Sequence, residues 1–239
     1  MKNNISRLQI WWKSFCDTLF PRQCPVCGRR LALTESHVCA TCLYRLPIVP
    51  CSAPTDNAIT KTFERFMPIE KATAMFYYHH ESPYRQILFS LKYEGNPQIG
   101  REFGRMWSRR LLSQHFFDDI DLLIPLPLAN KRKRKRGYNQ SEWIAKGITD
   151  VTGIPVETGI VRRTVSNPTQ TRLSKTERHV NVEGIFQVSH AERLKGKHIL
   201  LIDDVMTTGA TLISCGRTLL AQTEDTRISV FVLAKTMQR

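Results

Sequence analysis

The chain has 239 residues, of which 41% are hydrophobic and 23% are charged. These proportions exclude intrinsic disorder or a fibre as a description of the whole chain, and they fit one large domain or one ordinary domain with a small module. Lysine and arginine outnumber aspartate and glutamate by 35 to 21, which gives a net charge of +14. This excess favours a polyanionic partner such as nucleic acid or a phosphorylated metabolite, although an acidic membrane surface also fits.

The N-terminal segment has the apolar spacing of an amphipathic helix. Ile5, Leu8 and Trp12 recur at intervals of three and four, which predicts a helix over Ser6 to Phe20 that ends at Pro21. Its apolar stripe either packs against the rest of the protein or binds a partner or a membrane surface. Because no apolar stretch approaches the roughly 18 to 20 residues of a spanning helix, we expect no transmembrane segment and a cytoplasmic location.

Four of the seven cysteines form two C-x-x-C pairs. Cys24 and Cys27 form the first pair, Cys39 and Cys42 form the second, and eleven residues separate the two. Four thiolates so spaced can enclose Zn²⁺ tetrahedrally and leave no open coordination position, so we expect a structural zinc site. The alternatives are two unrelated thiol pairs or a redox C-x-x-C. Since the segment from Pro21 to about Thr60 is poor in apolar periodicity, metal binding would supply much of the free energy that folds it.

The remaining chain, residues 61–239, alternates strand and helix patterns. The predicted elements are a strand over Ala72 to Tyr78, helices over Pro83 to Tyr93 and Pro97 to His115, a strand over Asp121 to Leu126, a loop over the basic run Lys131 to Arg136, a helix over Gln140 to Val151 capped by Asn139, a strand over His198 to Ile202, a helix over Gly209 to Gln222, and a strand over Ile228 to Ala234. The last three form a strand-helix-strand unit of the kind that builds parallel sheets. We therefore predict an α/β domain in which helices flank a parallel sheet, preceded by the cysteine module of residues 1–60.

The most informative motif follows the apolar run that ends at Ile202. Asp203 and Asp204 come first, and the turn Thr207-Thr208-Gly209-Ala210-Thr211 then leads into a helix. The N–H groups and hydroxyls of this turn, together with the helix N-terminus, predict a pocket for one phosphate. Two carboxylates beside that pocket would repel the phosphate unless they face another group, and a ribose cis-diol offers two hydroxyl donors. The pattern predicts a ribose 5-phosphate site, and the alternative is a capping aspartate before a turn that binds no ligand.

Leu201 to Thr211 resembles the signature of type I phosphoribosyltransferases, whose fold binds phosphoribosyl pyrophosphate (PRPP). With the cysteine module, about residues 19–235 resemble the ComF family, bacterial cytoplasmic proteins implicated in natural transformation. The segments that carry this resemblance are Leu91 to Gly95, Ile124 to Pro127, Arg136 to Gln140, and Gln170 through Arg178 to Asn181, Val182 and Phe186. A type I phosphoribosyltransferase fold and a role in DNA uptake are what the resemblance implies.

The resemblance also implies roles for particular residues. Asp203 and Asp204 would bind the ribose hydroxyls, and Thr207 to Thr211 would bind the 5-phosphate. The pyrophosphate loop would comprise Leu126, Pro127, Leu128, Ala129 and Asn130, with Mg²⁺ held largely by oxygens of PRPP itself. A DNA-uptake helicase and recombination-mediator proteins are the implied partners. No residue identifies itself as a general base, so a binding function is expected, and transfer of the phosphoribosyl group to an unknown nucleophile is the alternative.

Six consecutive cations follow the expected pyrophosphate loop: Lys131, Arg132, Lys133, Arg134, Lys135 and Arg136. One interpretation is a solvated loop. A second is that the charge serves the pyrophosphate, and a third is that it lines a path for single-stranded DNA, with Tyr138 stacking on a base. The path would be extended, if the polar segment after the helix folds beside it, by Arg162, Arg163, Arg172, Lys175 and Arg178. Tyr138 fits a core position equally well.

Overall fold

A computed structural model describes residues 21–50, 54–164 and 185–237 of the chain. The helices are α1 (Ala40–Tyr44), α2 (Thr60–Glu64), α3 (Arg85–Tyr93), α4 (Gln98–Leu112), α5 (Asn130–Arg136), α6 (Gln140–Thr152) and α7 (Ala210–Gln222). The strands are β1 (Ala72–Tyr78), β2 (Leu122–Pro125), β3 (Val161–Arg163), β4 (Phe186–Val188), β5 (His198–Met206) and β6 (Arg227–Thr236). The predicted helix over Ser6 to Phe20 lies outside the described residues, and so does the segment from Gln170 to Val182.

Four strands form a parallel sheet in the order β1-β6-β5-β2. Strand β5 is central and pairs with β6 on one side and β2 on the other. Its first five residues, His198–Ile202, are all buried, which is typical of a parallel strand covered on both faces. Because the strands are parallel, their carboxyl ends meet at one edge of the sheet, the edge where ligands bind in open α/β folds.

Apolar side chains cover both faces of this sheet. One cluster joins the sheet to α3, α4 and α6 and includes Phe76 and Phe103. The second joins it to α2, α7 and the antiparallel ribbon β3-β4 and includes Phe63 and Leu212. Cys24, Cys39 and Cys42 belong to the first cluster, whereas Val49 and Ile59 belong to the second. The division of the chain at residue 60 stays a prediction.

Helices α4 and α6 approach each other closely because glycines lie at their contact. A Cβ at Gly104 would collide with a carbonyl oxygen of α6, and one at Gly147 would collide with the carbonyl oxygen of Arg101. Asp150 then accepts hydrogen bonds from Arg101 and Arg105, each at 2.7 Å, which lower its pKa to about 2. These contacts fix α6 on α4, and at the N-terminal end of α6 the hydroxyl of Ser141 donates to Asp203 of β5.

The predicted fold class is confirmed, with helices on both faces of a parallel sheet and a cysteine cluster that precedes it. Two local predictions are wrong. Strand β5 continues four residues beyond Ile202, because Asp203, Val205 and Met206 still pair with β6. The basic run is helix α5, since lysine and arginine are good helix formers and Gly137, at φ 78°, ends the helix in the left-handed conformation. The repulsion between its exposed charges is screened by water and does not prevent the helix.

In the part of the chain that the structure describes, no helix combines the length and the apolar character needed to cross a bilayer. The longest described helix, α4, has 15 residues, and two arginines lie in its last turn.

Candidate functional site

The two cysteine pairs come together through two different turns. In the first, Cys24 accepts a backbone hydrogen bond from Gly28, whose φ of 72° allows the chain to fold back after Cys27. In the second, Cys39 caps the N-terminus of α1, and its sulfur accepts a hydrogen bond from the backbone N–H of Cys42. Each turn directs two sulfur atoms to the same point.

The four sulfurs have the geometry of a metal centre. All of them lie within 4.8 Å of one another, and the Sγ atoms of Cys27 and Cys39 are 3.8 Å apart. Tetrahedral Zn²⁺ with Zn–S bonds of about 2.3 Å requires sulfurs about 3.8 Å apart. Burial opposes ionisation of Cys39, but hydrogen bonds from Cys42 and the neighbouring thiols outweigh it and lower its pKa to about 7. The cluster therefore fits a closed thiolate site for a metal such as zinc.

The two carboxylates lie in the last part of β5, at the carboxyl edge of the sheet. Asp203 accepts hydrogen bonds from the hydroxyl of Ser141 at 3.1 Å and from the backbone N–H of Asp204 at 2.8 Å. Asp204 forms an ion pair with Lys92, whose Nζ lies 3.0 Å from its Oδ1. The side chains of Lys92 and Asp204 are only 20% and 11% exposed, so this pair is shielded from solvent.

The surroundings of the two carboxylates differ in charge. Burial, and then the neighbouring charge of Asp204, raise the pKa of Asp203 from 3.8 to about 7. Lys92 neutralises Asp204 directly, whereas Asp203 receives neutral donors. The two adjacent aspartates thus lie in unlike environments: Asp204 is paired with a cation, and Asp203 has a raised pKa, so it takes up a proton more readily than an exposed aspartate does.

The predicted phosphate turn directly follows β5. Thr207, Thr208 and Gly209 connect the strand to α7, while Ala210 and Thr211 form the first helical positions. Gly209 adopts a φ of 80°, and a Cβ there would lie 3.2 Å from Cε of Met206. The first N–H groups of a helix have no backbone partner within it. That of Ala210 donates to the Thr208 hydroxyl at 3.4 Å, and the turn presents the N–H groups that follow at the N-terminus of α7.

The expected pyrophosphate loop lies beside β5. Leu126 donates a backbone hydrogen bond to the carbonyl of Ile202, immediately before the carboxylates. The amide of Asn139 donates to the carbonyl of Leu126 at 2.9 Å, and its oxygen caps α6. The predicted cap is therefore confirmed, and the same residue anchors the loop. Of the loop, Leu126 and Ala129 are buried, Pro127 and Leu128 are partly buried, and Asn130 is the first residue of α5.

The basic helix α5 begins where this loop ends. Lys131 to Lys135 are exposed, and Lys133 lies 3.5 Å from Glu142. Tyr138 follows the helix and is only partly exposed, since its hydroxyl donates a 2.6 Å hydrogen bond to the carbonyl of Leu91. The stacking role of Tyr138 stays a prediction.

Sequence reasoning missed Lys92 and Ser141 at this site, and it assigned Arg163 to a DNA path and not to the surroundings of the carboxylates. Lys92 lies in the segment Leu91 to Gly95, which contributed to the family resemblance, but its distance along the chain from Asp204 gave no reason to pair them. Ser141 reaches Asp203 only because α6 packs across the sheet. Arg163 on β3 is close enough that Asp203 raises its pKa, although burial and Arg132 lower it by more.

The parallel sheet, the carboxylate pair and the turn into α7 together define a protein with a phosphoribosyltransferase fold. Residues 110–239 match the Phosphoribosyl transferase domain, and the chain belongs to that family.

Relatives of this chain carry more particular names. Competence protein ComFC of Bacillus subtilis is 28% identical over 217 residues, which cover 89% of this chain and 77% of that protein. The DNA utilization protein YhgH of Salmonella typhi is 23% identical over 228 residues, covering 91% of this chain and 98% of that protein. YhgH of Escherichia coli K12 is 24% identical over 218 residues, with coverages of 90% and 84%. The resemblance to the ComF family is thus confirmed.

Proposed function

We propose that this chain binds a ribose phosphate of the PRPP type at the carboxyl edge of its sheet, and that it acts in the uptake or use of DNA. The observation that carries the binding proposal is the position of Asp203 and Asp204 directly before the turn Thr207 to Thr211. The names of the relatives and the net charge of +14 support the DNA role. We place this function in the cytoplasm.

Different residues at the carboxyl edge of the sheet bind different parts of the proposed ligand. The 5-phosphate binds to the N–H groups and hydroxyls of the turn, and the ribose hydroxyls donate to Asp203 and Asp204. Lys92 forms an ion pair with Asp204 and balances its negative charge beside the proposed ribose. The pyrophosphate lies toward Leu126 to Asn130, with Mg²⁺ held largely by the oxygens of the ligand.

Helix α5 provides the contact with DNA. Five of its cations are exposed, and it follows the loop next to the ribose-phosphate pocket. Phosphate neutralisation by such a run supplies affinity without sequence preference. A DNA-uptake helicase and recombination-mediator proteins are the proposed protein partners, in keeping with the family.

Titration calorimetry with sugar phosphates tests the proposed pocket. With Mg²⁺ present, we expect PRPP to bind, and ribose 5-phosphate to bind more tightly than 2-deoxyribose 5-phosphate. The deoxy sugar lacks one hydroxyl donor to a carboxylate, and losing that bond weakens binding by about ten- to 150-fold. Equal affinity for the two sugar phosphates would show that the aspartates do not bind the ribose hydroxyls.

The alternative function is transfer of the phosphoribosyl group to an acceptor. One observation favours it, because Asp203, with a pKa of about 7, suits the acceptance of a proton at neutral pH. Release of pyrophosphate from PRPP in the presence of candidate acceptors measures this activity. If PRPP binds but no pyrophosphate is released with purine, pyrimidine or amine acceptors, ligand binding is the only function of the pocket that remains.

A further inference from the structure

Helix α3 carries two aromatic rings on its outer face. Its inner face is buried through Ile87, Leu88 and Leu91, whereas Phe89 is 42% exposed and Tyr93 is 56% exposed. These two residues are four positions apart, so they are neighbours on the helix surface. Their ring centroids lie 5.1 Å apart, with an angle of 45° between the ring planes.

Arg136 connects this aromatic pair to the basic helix. Its guanidinium carbon lies 5.1 Å from the centroid of the Tyr93 ring, and Nη2 donates to the Tyr93 hydroxyl at 3.3 Å. On the other side, Nη1 donates to Oε1 of Gln140, a fully buried side chain at the start of α6. The guanidinium is thus fixed between two helices, which places the last turn of α5 beside α3. We call Phe89, Tyr93 and Arg136 the aromatic platform.

The chemistry around the platform selects its ligand. Lys131 to Lys135 are exposed on the same helix as Arg136, so a polyanion that reaches the platform also meets these cations. Planar rings and a guanidinium stack on bases, whose faces are free in a single strand and covered in a duplex. An acidic peptide would pair with the cations of α5, but it has no bases to stack on the aromatic rings.

The platform also adjoins the proposed ribose-phosphate pocket along two chain segments. Tyr93 follows Lys92, which pairs with Asp204, and the Gln140 that holds Arg136 precedes Ser141, which donates to Asp203. Tyr138 is not part of the platform. Its hydroxyl donates to the carbonyl of Leu91 in α3.

We propose that Phe89, Tyr93 and Arg136 form a stacking platform for the bases of single-stranded DNA, while α5 binds the sugar-phosphate backbone. The proposal rests on the DNA contact of the proposed function, and it names the residues that make this contact specific for single strands.

Binding of a fluorescein-labelled oligo-dT, measured by anisotropy over a series of salt concentrations, tests the platform. The variant F89S/Y93S should bind about five- to 150-fold more weakly for each base that no longer stacks, with the salt slope unchanged because every cation remains in place. Y93F keeps the ring and should bind nearly as the wild type does. F66S removes a ring that is 40% exposed and lies outside the platform, so it should have no effect.

A second measurement detects stacking itself. An oligonucleotide with one 2-aminopurine should be quenched on binding the wild type, and much less on binding F89S/Y93S. A variant in which Lys131 to Lys135 are serine should keep this quenching at low salt but show a smaller salt slope, by about 0.7 for each DNA phosphate that is no longer neutralised. Thermal unfolding of each variant verifies that the fold is intact.

Three results would overturn the platform. If F89S/Y93S binds as the wild type does while the serine variant of α5 is weakened, the DNA contact stands and the platform is wrong. If the wild type binds no single-stranded DNA, both the platform and the DNA contact are wrong. If duplex DNA or polyglutamate competes as well as oligo-dT, the surface binds any polyanion and does not stack bases.

Discussion

The substitutions D203N and D204N should change the stability of the protein in opposite directions, although the two residues are adjacent. Burial and the charge of Asp204 raise the pKa of Asp203 from 3.8 to about 7, so the folded protein favours the protonated form. A rise of this size corresponds to about 4 kcal/mol at full burial. Because Asp203 keeps some contact with solvent, we expect about 1 to 2 kcal/mol.

The sign of the pH dependence follows from this raised pKa. Between about pH 4 and pH 7 the folded state binds more protons at Asp203 than the unfolded state, so its contribution to stability falls as the pH rises. Asparagine resembles the protonated acid and avoids this loss. D203N should therefore match the wild type near pH 4 and be more stable at pH 8, with a Tm higher by about 2 to 8 °C.

D204N should instead destabilise the protein. Lys92 is 20% exposed, and its Nζ lies 3.0 Å from Asp204, so the substitution leaves a shielded ammonium without its anion. The loss of a hydrogen bond to a charged group costs roughly 1.5 to 3 kcal/mol.

Thermal and urea unfolding of the wild type and both variants, at pH values from 4 to 8, measures these effects. A D203N variant that is less stable than the wild type at pH 8 would refute the electrostatic account of the carboxylate pair. So would a D204N variant with unchanged stability, since the ion pair with Lys92 would then contribute nothing.

Three further predictions concern other parts of the molecule. Protein purified without added metal should contain about one zinc per chain by elemental analysis, and C24S should lose it, because three thiolates do not close the tetrahedral site. G147A should destabilise the protein by roughly 1 to 3 kcal/mol in urea unfolding, since its Cβ collides with the carbonyl of Arg101, whereas G159A at an exposed position should be nearly neutral. Serine at Lys131 to Arg136 should reduce the salt slope of DNA binding while PRPP binding stays nearly intact. Loss of PRPP binding instead would place α5 at the pyrophosphate.

Local sequence patterns predict much of the architecture. The apolar runs before Asp203 and near the C-terminus are sufficient to predict adjacent parallel strands, because buried strands have continuous apolar residues. The spacing of Cys24, Cys27, Cys39 and Cys42 predicts a cluster whose sulfurs do lie within 4.8 Å of one another. Each of these patterns lies within one short segment of the chain, so it can be recognised without knowledge of distant contacts.

The features that sequence reasoning missed depend on contacts between distant segments. Nothing near Lys92 indicates that it pairs with Asp204, since the two meet only when α3 packs on the sheet. The basic run, predicted as a loop, is a helix because the propensity of lysine and arginine and the cap at Gly137 outweigh the repulsion between adjacent cations. Exposure of Phe89 and Tyr93 likewise depends on which face of α3 is buried.

The central claim is that Asp203 and Asp204 bind the ribose of a PRPP-type ligand. Titration calorimetry with PRPP and Mg²⁺ should show binding to the wild type and to the control D225N, whose exposed residue lies just before β6, at the amino end of the sheet. D203N/D204N loses two hydrogen bonds to charged groups and should bind at least about a hundredfold more weakly, while remaining folded. Unchanged affinity in the folded double variant would contradict the assignment.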